Sequence, residues 1–286
     1  MIGAVIVLYN PELSETCKLV ETIQRQVDGL VIVDNSKENH ESAFDLSKAS
    51  YLHYADNIGV ACAHNRGLSK LLQDGFTFAV LLDQDSTIPE DFVFRISSLL
   101  IASEKQKIPL VAIGPRVVCS FTNKQLRPKL QREVYSLDEL LVVTQIISSG
   151  MMIRLDKLEI IGMKDESLFI DGVDHEWCWR AKQHGYNVGI AERVLMQHKL
   201  GDARKKFVGI TYKVGSPVRL YYQFRNILLL CRRDYVPLYW KLRNLGFMPL
   251  RFFINVFFED QKIKRFKFMV KGVFDGVLNN SSSKKE

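Results

Sequence analysis

Two patterns of apolar and polar positions alternate along the first part of the chain: continuous apolar runs, and segments in which apolar residues recur with helical spacing. Apolar runs at residues 2–9, 29–33 and 77–82 predict strands, and residues 50–54 predict a further short one. Segments with helical spacing follow the first, third and fourth predicted strands in chain order, over residues 12–26, up to residue 73, and over residues 89–103. Strands that alternate with helices and carry no polar face predict a parallel sheet covered on both faces.

Polar side chains stand where these strands end. They are Asn10 after the first strand, Asp34 after the second, Asn57 after the third, and Asp83 and Asp85 after the fourth. Ligands of open α/β sheets bind at the carboxyl ends of the strands, so we expect these side chains to cluster at one edge. No G-x-G-x-x-G follows the first strand, which disfavours a dinucleotide site.

The loops after the second and third strands each allow a functional and a structural interpretation. Asp34 is suited to accept a hydrogen bond from a base N–H or a ribose hydroxyl, and equally to cap a turn. Small residues from Gly59 to Gly67 permit either close approach of a ligand or tight packing of a helix on the sheet.

The stretch "LLDQDST" contains Asp83 and Asp85. In an extended chain both side chains point to the same side, and paired carboxylates hold Mg²⁺ or Mn²⁺ together with substrate phosphates. The pattern Asp83-x-Asp85-x-Thr87-Ile88 also matches the nucleophile motif of haloacid-dehalogenase-type phosphatases. That motif usually ends the first strand of its domain, whereas this one ends the fourth.

A second acidic segment starts a predicted helix that runs to about Gly185, after a predicted strand at residues 148–153. Asp174 falls at the beginning of this helix, where it could act as a helix cap or as a general base. Asp171, His175 and Glu176 are the neighbouring candidates for the base.

The composition describes a globular chain: 286 residues, 47% hydrophobic and 25% charged. Five scattered cysteines without paired spacing disfavour a zinc site and, with no apparent signal peptide, predict a reducing, cytoplasmic setting. No apolar run reaches the roughly 20 residues that span a bilayer.

The net charge of +7 is unevenly distributed. Residues 204–286 carry 18 Lys and Arg against 5 Asp and Glu, a net of +13, and residues 1–203 carry a net of −6. The basic residues of the tail are interleaved with large apolar ones, which predicts either an amphipathic helix on an anionic membrane or a basic outer face on packed helices. No motif indicates nucleic-acid binding.

Together these motifs resemble glycosyltransferase family 2, most closely the bacterial rhamnosyltransferases, over about residues 1–230. The resemblance rests on Tyr9-Asn10-Pro11, Val33-Asp34-Asn35-Ser36, Asn57-x-Gly59 with Asn65-x-Gly67, Asp83-x-Asp85, Asp174-x-Glu176-x-x-x-Arg180 and His198-x-x-Gly201. The family's usual glutamate before the base aspartate is replaced by Val173.

The resemblance implies an A-type glycosyltransferase fold, with a Rossmann-like, mostly parallel sheet between helices. It implies a nucleotide-sugar-binding catalytic domain at residues 1–210 and a basic helical region at residues 211–286 that touches the membrane. It assigns the general base to Asp174, with Asp171 as the alternative. The implied donor-binding residues are Tyr9, Asn10, Asp34, Asn57, Gly59, Asn65, Asp83 and Arg225.

The resemblance also assigns Asp83, Asp85 and His198 to a Mg²⁺ or Mn²⁺ ion, and Glu176 and Trp177 to the acceptor side. His198 could equally be structural, and Arg225 could lie on a basic helix face. The implied activity is inverting, metal-dependent transfer of L-rhamnose from dTDP-rhamnose to a saccharide or lipid-linked saccharide in cell-surface polysaccharide synthesis. The implied location is the inner face of the cell membrane. A phosphatase with Asp83 as nucleophile and a non-catalytic membrane-surface protein are the alternatives.

Overall fold

The computed structural model describes residues 1–119, 133–137, 139–198, 204–207, 210–213 and 215–278. At residues 119, 133–135, 137, 198, 204–207 and 210–213 only the backbone is described.

The strands, in chain order, are β1 (Ile2–Leu8), β2 (Gly29–Asp34), β3 (Ala49–His53), β4 (Phe78–Asp83), β5 (Ser86–Thr87), β6 (Leu110–Cys119), β7 (Glu133–Leu137), β8 (Leu140–Val143), β9 (Met151–Arg154), β10 (Asn187–His198), β11 (Arg204–Phe207) and β12 (Ile210–Lys213). The helices are α1 (Leu13–Gln24), α2 (Val60–Gln73), α3 (Phe92–Lys105), α4 (Leu158–Ile161), α5 (Val173–Gln183), α6 (Pro217–Cys231), α7 (Leu238–Phe257) and α8 (Lys262–Val277).

In the described part of the chain, ten strands form one sheet in the order β3-β2-β1-β4-β9-β6-β10-β8-β7, with β5 paired to β10. The first four strands of this order are parallel, as their apolar runs predict. The sheet then changes direction, because β9 is antiparallel to both β4 and β6. The start of β9 therefore lies at the same edge as the end of β4.

Side chains alternate along the central strands and build a core on each face of the sheet. Val80 and Leu82 of β4 pack on the face that α1 and α3 cover, and Ala79 and Leu81 on the face that α2 and α5 cover. A Cβ at Gly67 would collide with the Val5 side chain, so this glycine lets α2 approach β1.

The C-terminal helices pack on one another and on the sheet domain. A third apolar cluster joins Leu168 and Trp179 to Ile227 of α6 and Trp240 of α7. Tyr221 of α6 donates a hydrogen bond of 2.7 Å to a carboxylate oxygen of Asp275 of α8. The helices thus share apolar core with the segment around α5, and the division of the chain at residue 210 stays a prediction.

Large apolar side chains are exposed along α7 and α8 and in the turn between them. We call the following set the C-terminal apolar residues: Leu242, Leu245, Phe247, Phe253, Phe257, Phe258, Ile263, Phe266, Val270, Phe274 and Val277. Lys262, Lys264, Lys267 and Lys271 are exposed on the same segment. Of the helices in the described residues, none combines the length and the apolarity that crossing a bilayer requires.

Candidate functional site

The ends of three parallel strands meet at one edge of the sheet. Leu8 of β1 lies in register with Asp34 of β2, and Val7 of β1 with Asp83 of β4. The predicted grouping of strand-end residues therefore holds for the ends of β1, β2 and β4.

Hydrogen bonds link the loops that follow these strands. The backbone N–H of Tyr9 donates to Gln84 Oε1 at 2.7 Å, and Gln84 Nε2 donates to the Tyr9 carbonyl at 3.2 Å. The backbone N–H of Asn10 donates to Ser36 Oγ at 2.8 Å. The three loops thus form one connected rim.

Asp34 is fully buried below this rim. Its carboxylate accepts hydrogen bonds from the Ser36 N–H at 2.8 Å and the Tyr51 hydroxyl at 2.5 Å, and lies 2.8 Å from His40 Nδ1. Burial favours the neutral acid, but these hydrogen bonds outweigh it and lower the pKa of Asp34. A ligand N–H that binds Asp34 would have to share or replace these partners, among which His40 has a side chain that is 18% exposed.

Asn57 and Gly59 shape the entrance to α2. Asn57 Oδ1 accepts a hydrogen bond of 3.0 Å from the Gly59 N–H. Gly59 has a φ of +82°, and a Cβ there would meet the Phe169 ring at 2.6 Å and the Phe169 carbonyl at 2.9 Å. Both the backbone angle and the packing require glycine at this position.

The "LLDQDST" stretch is not extended. Residues 84 and 85 form a turn between β4 and β5, so the expectation that an extended chain presents Asp83 and Asp85 on one side is wrong. Strand alternation puts Asp83 on the face of Leu81, covered by α2 and α5. Asp85 lines a cleft of about 280 Å³ beside Lys18 and Thr22 of α1.

The predicted metal ligands lie around the turn at residues 84 and 85. β5 pairs with β10 so that the His198 backbone lies opposite Ser86, although the His198 side chain is outside the described part. Among the side chains that are described, no three His, Cys, Asp or Glu gather in a way that could hold an ion. Asp83 ends β4 and Asp85 lies in the turn that follows it, so two hard oxygen donors stand at this edge, where magnesium sites of proteins usually add substrate phosphates as further ligands.

Asp174 lies in the first turn of α5 with its side chain 29% exposed. Its Oδ1 accepts a short hydrogen bond from Ser148 Oγ, and Lys164 Nζ lies 3.6 Å from the same oxygen. Lys164 Nζ also donates to Ser148 Oγ at 2.7 Å. Burial opposes ionisation, but Lys164, the Ser148 hydrogen bond and His64 lower the pKa of Asp174. The carboxylate is thus held charged at the mouth of a buried cluster.

His64 of α2 belongs to this cluster and is 1% exposed. Neither ring nitrogen has a hydrogen-bond partner among the described residues. Burial and then the Lys164 cation lower the pKa of His64 to about 3, so the ring is neutral at physiological pH.

Asp171, the alternative base, is held differently. Its φ is +66°, and Arg219 of α6 donates to both of its carboxylate oxygens at 2.9 and 2.8 Å. The Asp171 carbonyl accepts a hydrogen bond of 2.9 Å from Asn226 Nδ2. Both the backbone and the side chain of Asp171 therefore anchor α6, which favours Asp174 as the base.

Comparison with known proteins decides the family. No family model matches the chain. Over 284 residues the chain is 34% identical to the dTDP-rhamnosyl transferase RfbF of Shigella flexneri, covering 96% of this chain and 95% of that protein. The chain belongs to this rhamnosyltransferase family, within glycosyltransferase family 2. It is a glycosyltransferase, and the phosphatase and non-catalytic alternatives are set aside.

Solved structures show that the glycosyltransferase has the A-type fold. GalNAc-T7, solved with UDP, GalNAc and Mn²⁺, superimposes with a TM-score of 0.58 at 14% identity over 96% of this chain. TarS of S. aureus gives 0.56 at 12% identity over 99% of this chain. The chain spans about half of each of these larger proteins, 57% and 49%. Residues 1–349 of TarS, solved with UDP-GlcNAc, give 0.57 at 10% identity over 96% of this chain and 81% of that one.

Glu176 and Trp177, predicted on the acceptor side, are fully buried in the glycosyltransferase. Glu176 accepts hydrogen bonds from Arg180 Nε at 2.8 Å and from the Tyr235 hydroxyl at 2.6 Å, and pairs with Arg233 at 3.1 Å. Trp177 Nε1 donates to the Gly162 carbonyl at 3.0 Å. The prediction is corrected: the two side chains hold α5 in the core, because Trp177 packs in the apolar cluster under the helix and Glu176 faces Arg233 and Tyr235.

Arg225 and Asn65, predicted to bind the donor, are also buried, Arg225 completely and Asn65 with 6% exposure. Arg225 donates to the Ser167 carbonyl at 2.6 Å. Asn65 donates to the Lys164 carbonyl at 2.8 Å and accepts from the Lys164 N–H at 2.9 Å. Both predictions are corrected, since these side chains fasten the segment between β9 and α5 to α6 and α2.

Ser148, Lys164 and His64 are the site residues that sequence reasoning missed. Ser148 lies just before β9, which reaches the strand-end edge because it runs antiparallel to β4. An expectation of parallel strands places that segment at the opposite edge. Lys164 stands in an irregular segment with no periodic signal, and His64 lies within the small-residue stretch at the start of α2.

Proposed function

We propose that this glycosyltransferase transfers L-rhamnose from dTDP-β-L-rhamnose to a saccharide hydroxyl, with inversion at the anomeric carbon. Identity with a dTDP-rhamnosyl transferase along nearly the whole chain supports the donor. The observation that carries the mechanism is Asp174, a charged carboxylate that is partly exposed at the start of α5.

In the proposed step, Asp174 accepts the proton of the acceptor hydroxyl while that oxygen attacks the anomeric carbon. Both contacts recorded for its carboxylate in the described residues use Oδ1, which leaves Oδ2 to meet the acceptor. The carbon–oxygen bond to the diphosphate breaks, and its electron pair leaves with dTDP. A single displacement gives the α-L-rhamnoside.

Negative charge develops on the diphosphate as dTDP leaves, and a cation beside the diphosphate would stabilise that charge. We propose that Asp83 and Asp85, with His198 as a further candidate, would hold Mg²⁺ or Mn²⁺ beside the diphosphate. When bound, such an ion supplies Lewis-acid stabilisation of the departing phosphate oxygen. The Asp83 and Asp85 carboxylates supply the negative charge that keeps the ion at the strand-end rim.

The rim formed by the loops after β1, β2 and β4 is the proposed place of the nucleotide. Tyr9 and Asn10 flank it through their backbone hydrogen bonds, and Asn57 and Gly59 shape the neighbouring entrance to α2. The direct contact predicted between Asp34 and the base would require the base to share or replace the partners of this carboxylate. In its present position Asp34 orients His40 and Tyr51 instead.

The acceptor is proposed to be a saccharide on a lipid carrier at the inner face of the cell membrane. The C-terminal apolar residues and the exposed lysines among them support this location. Apolar side chains and cations on one segment are the combination that binds an anionic bilayer surface.

A panel of nucleotide sugars tests the donor. We expect dTDP-rhamnose to raise the unfolding temperature and to support transfer, and UDP-GlcNAc to do neither.

Asp174→Asn should lower transfer by about a hundredfold to ten-thousandfold while dTDP still binds. The matched control is Asp156→Asn, at a surface ion pair with Lys157, which should transfer normally. Full transfer by Asp174→Asn would refute the base assignment.

A chelator tests the metal independently. Excess chelator should abolish transfer, and added Mg²⁺ or Mn²⁺ should restore it. Asp83→Asn should raise the metal concentration needed for half-maximal transfer. Unchanged transfer in excess chelator would exclude the proposed ion.

A further inference from the structure

A cavity of about 530 Å³ lies between the start of α5 and the helices α6 and α7. Its wall includes Asp171 and His175 from the base segment, Gln223 of α6, and Trp240, Arg243 and Arg251 of α7. The donor rim and the metal site described above contribute no residue to it. The cavity is therefore a separate compartment that reaches α5 from the C-terminal side.

The charges in this wall are unbalanced. The described residues give Arg243 no ion pair, and the one hydrogen bond of Arg251 is a long one of 3.5 Å to Asn244 Oδ1. Asp171, the acid in the wall, has both oxygens engaged by Arg219. Burial and then repulsion from Arg243 lower the pKa of Arg251. An anion placed between the two guanidinium groups would relieve this repulsion.

The remaining wall suits the rest of a lipid-linked saccharide. Asp171, Gly172 and His175 line the cavity and lie within three residues of Asp174 in the chain, so the cavity reaches the segment that carries the proposed base. Trp240 offers an aromatic face against which a sugar ring can stack. Phe247 lines the cavity and is 44% exposed among the C-terminal apolar residues, so the cavity opens toward the proposed membrane-binding surface.

We infer that this cavity binds the acceptor, with a phosphate or diphosphate of the lipid carrier between Arg243 and Arg251 and its apolar chain leaving past Phe247. The inference rests on the proposed function, to which it adds the place and the charge of the acceptor. It also assigns both arginines to the acceptor rather than to the diphosphate of the donor.

Binding of farnesyl diphosphate to the full chain tests the assignment, with Trp240 fluorescence as the readout. Farnesol, inorganic diphosphate and dTDP are the comparison ligands, which separate the apolar chain, the anion and the donor. Arg251→Gln and Arg243→Gln should each weaken farnesyl diphosphate binding about tenfold, and the double variant more. Lys105→Gln at the exposed end of α3 removes the same charge outside the cavity and should bind normally.

The outcomes separate the two proposals. Loss of farnesyl diphosphate binding with unchanged dTDP binding supports the acceptor cavity, even if no rhamnose transfer is found and the proposed function fails. An equal loss of dTDP binding would assign the arginines to the donor and overturn the inference. Farnesol binding as tight as farnesyl diphosphate, or arginine variants that bind like wild type, would also overturn it. Unfolding temperatures of the variants show that each is folded, because Arg251→Gln removes a repelled charge and should not destabilise the chain.

Discussion

Replacing Lys164 with methionine should shift the pH dependence of transfer. Lys164 is 3% exposed, and its Nζ lies 3.6 Å from Asp174 Oδ1. Methionine keeps most of the side-chain volume against Trp177, whose ring lies 5.8 Å from Nζ, and removes the charge. The substitution therefore isolates the electrostatic effect of Lys164 on the proposed base.

The magnitude follows from the distance. Coulomb's law at 3.6 Å with an effective dielectric constant of about 20 gives about 5 kcal/mol, an upper figure for this pair. Opposite charges at such range lower a carboxyl pKa by about 1 to 3 units. Because the Asp174 side chain is 29% exposed, water screens part of the interaction. We expect the pKa of Asp174 to rise in Lys164→Met, because the cation that favours the carboxylate is removed.

The rate of transfer depends on the ionised form of Asp174. Asp174 accepts a proton only as a carboxylate, so transfer falls as the pH drops through its lowered pKa. In Lys164→Met this fall should begin at a higher pH, because the pKa of Asp174 is higher there. The assay is kcat/KM for transfer against pH, with Lys157→Met, which breaks a surface ion pair of 2.9 Å with Asp156, as the control.

Stability gives a second readout of the same pair. A carboxyl group with a lowered pKa in the folded state stabilises that state above its unfolded pKa, and this contribution disappears as the pH falls through the folded pKa. Lys164→Met should therefore lose about 2 kcal/mol of stability at neutral pH and less in acid, where Asp174 is protonated in both proteins. A folded variant whose acid limb coincides with that of wild type would refute the coupling.

Three further predictions concern other parts of the structure. Glu176→Gln should lower the free energy of unfolding by about 2 to 4 kcal/mol, measured by denaturant titration, because it leaves Arg180 and Arg233 facing a neutral amide in the core. His40→Ala should tighten dTDP binding a few-fold by opening the path to Asp34, and weaker binding would mean that His40 itself holds the base. Phe257→Ser with Ile263→Ser should reduce binding to anionic vesicles by about tenfold without changing transfer to a short soluble acceptor, measured by vesicle sedimentation.

The parallel half of the fold could be predicted from the sequence because three of its four strands, β1, β2 and β4, are buried along most of their length. Such a strand has to be continuously apolar, and β1, β2 and β4 are. The pattern carries no information on strand direction, so it could not show that β9 is antiparallel to β4. The consequence for function is direct, because that direction brings Ser148 to the edge where Asp174 lies.

The candidate site was predictable only where a residue type follows a strand or starts a helix. Asp83 and Asp174 satisfy that condition and are the residues on which the proposed mechanism depends. Glu176 satisfies it equally well in the sequence, and Arg225 was predicted from the family resemblance, yet both are buried in ion-pair and hydrogen-bond networks. Burial of a charged residue depends on partners that are distant in the chain, such as Tyr235 for Glu176, and no local pattern encodes them.

The uneven charge of the chain has a physical use under the proposed function. The transfer step needs an ionised carboxylate beside the acceptor hydroxyl, whereas the diphosphate of a lipid carrier needs cations. If both were placed on one element, each guanidinium would pair with a carboxylate and neither would face substrate. The acids lie at the strand ends and at the start of α5, whereas Arg243 and Arg251, which form no ion pair within the described residues, lie on α7 and line the same cavity as Asp171. The Arg219 pair with Asp171 holds this separation, because it neutralises the acid that both arginines would otherwise attract.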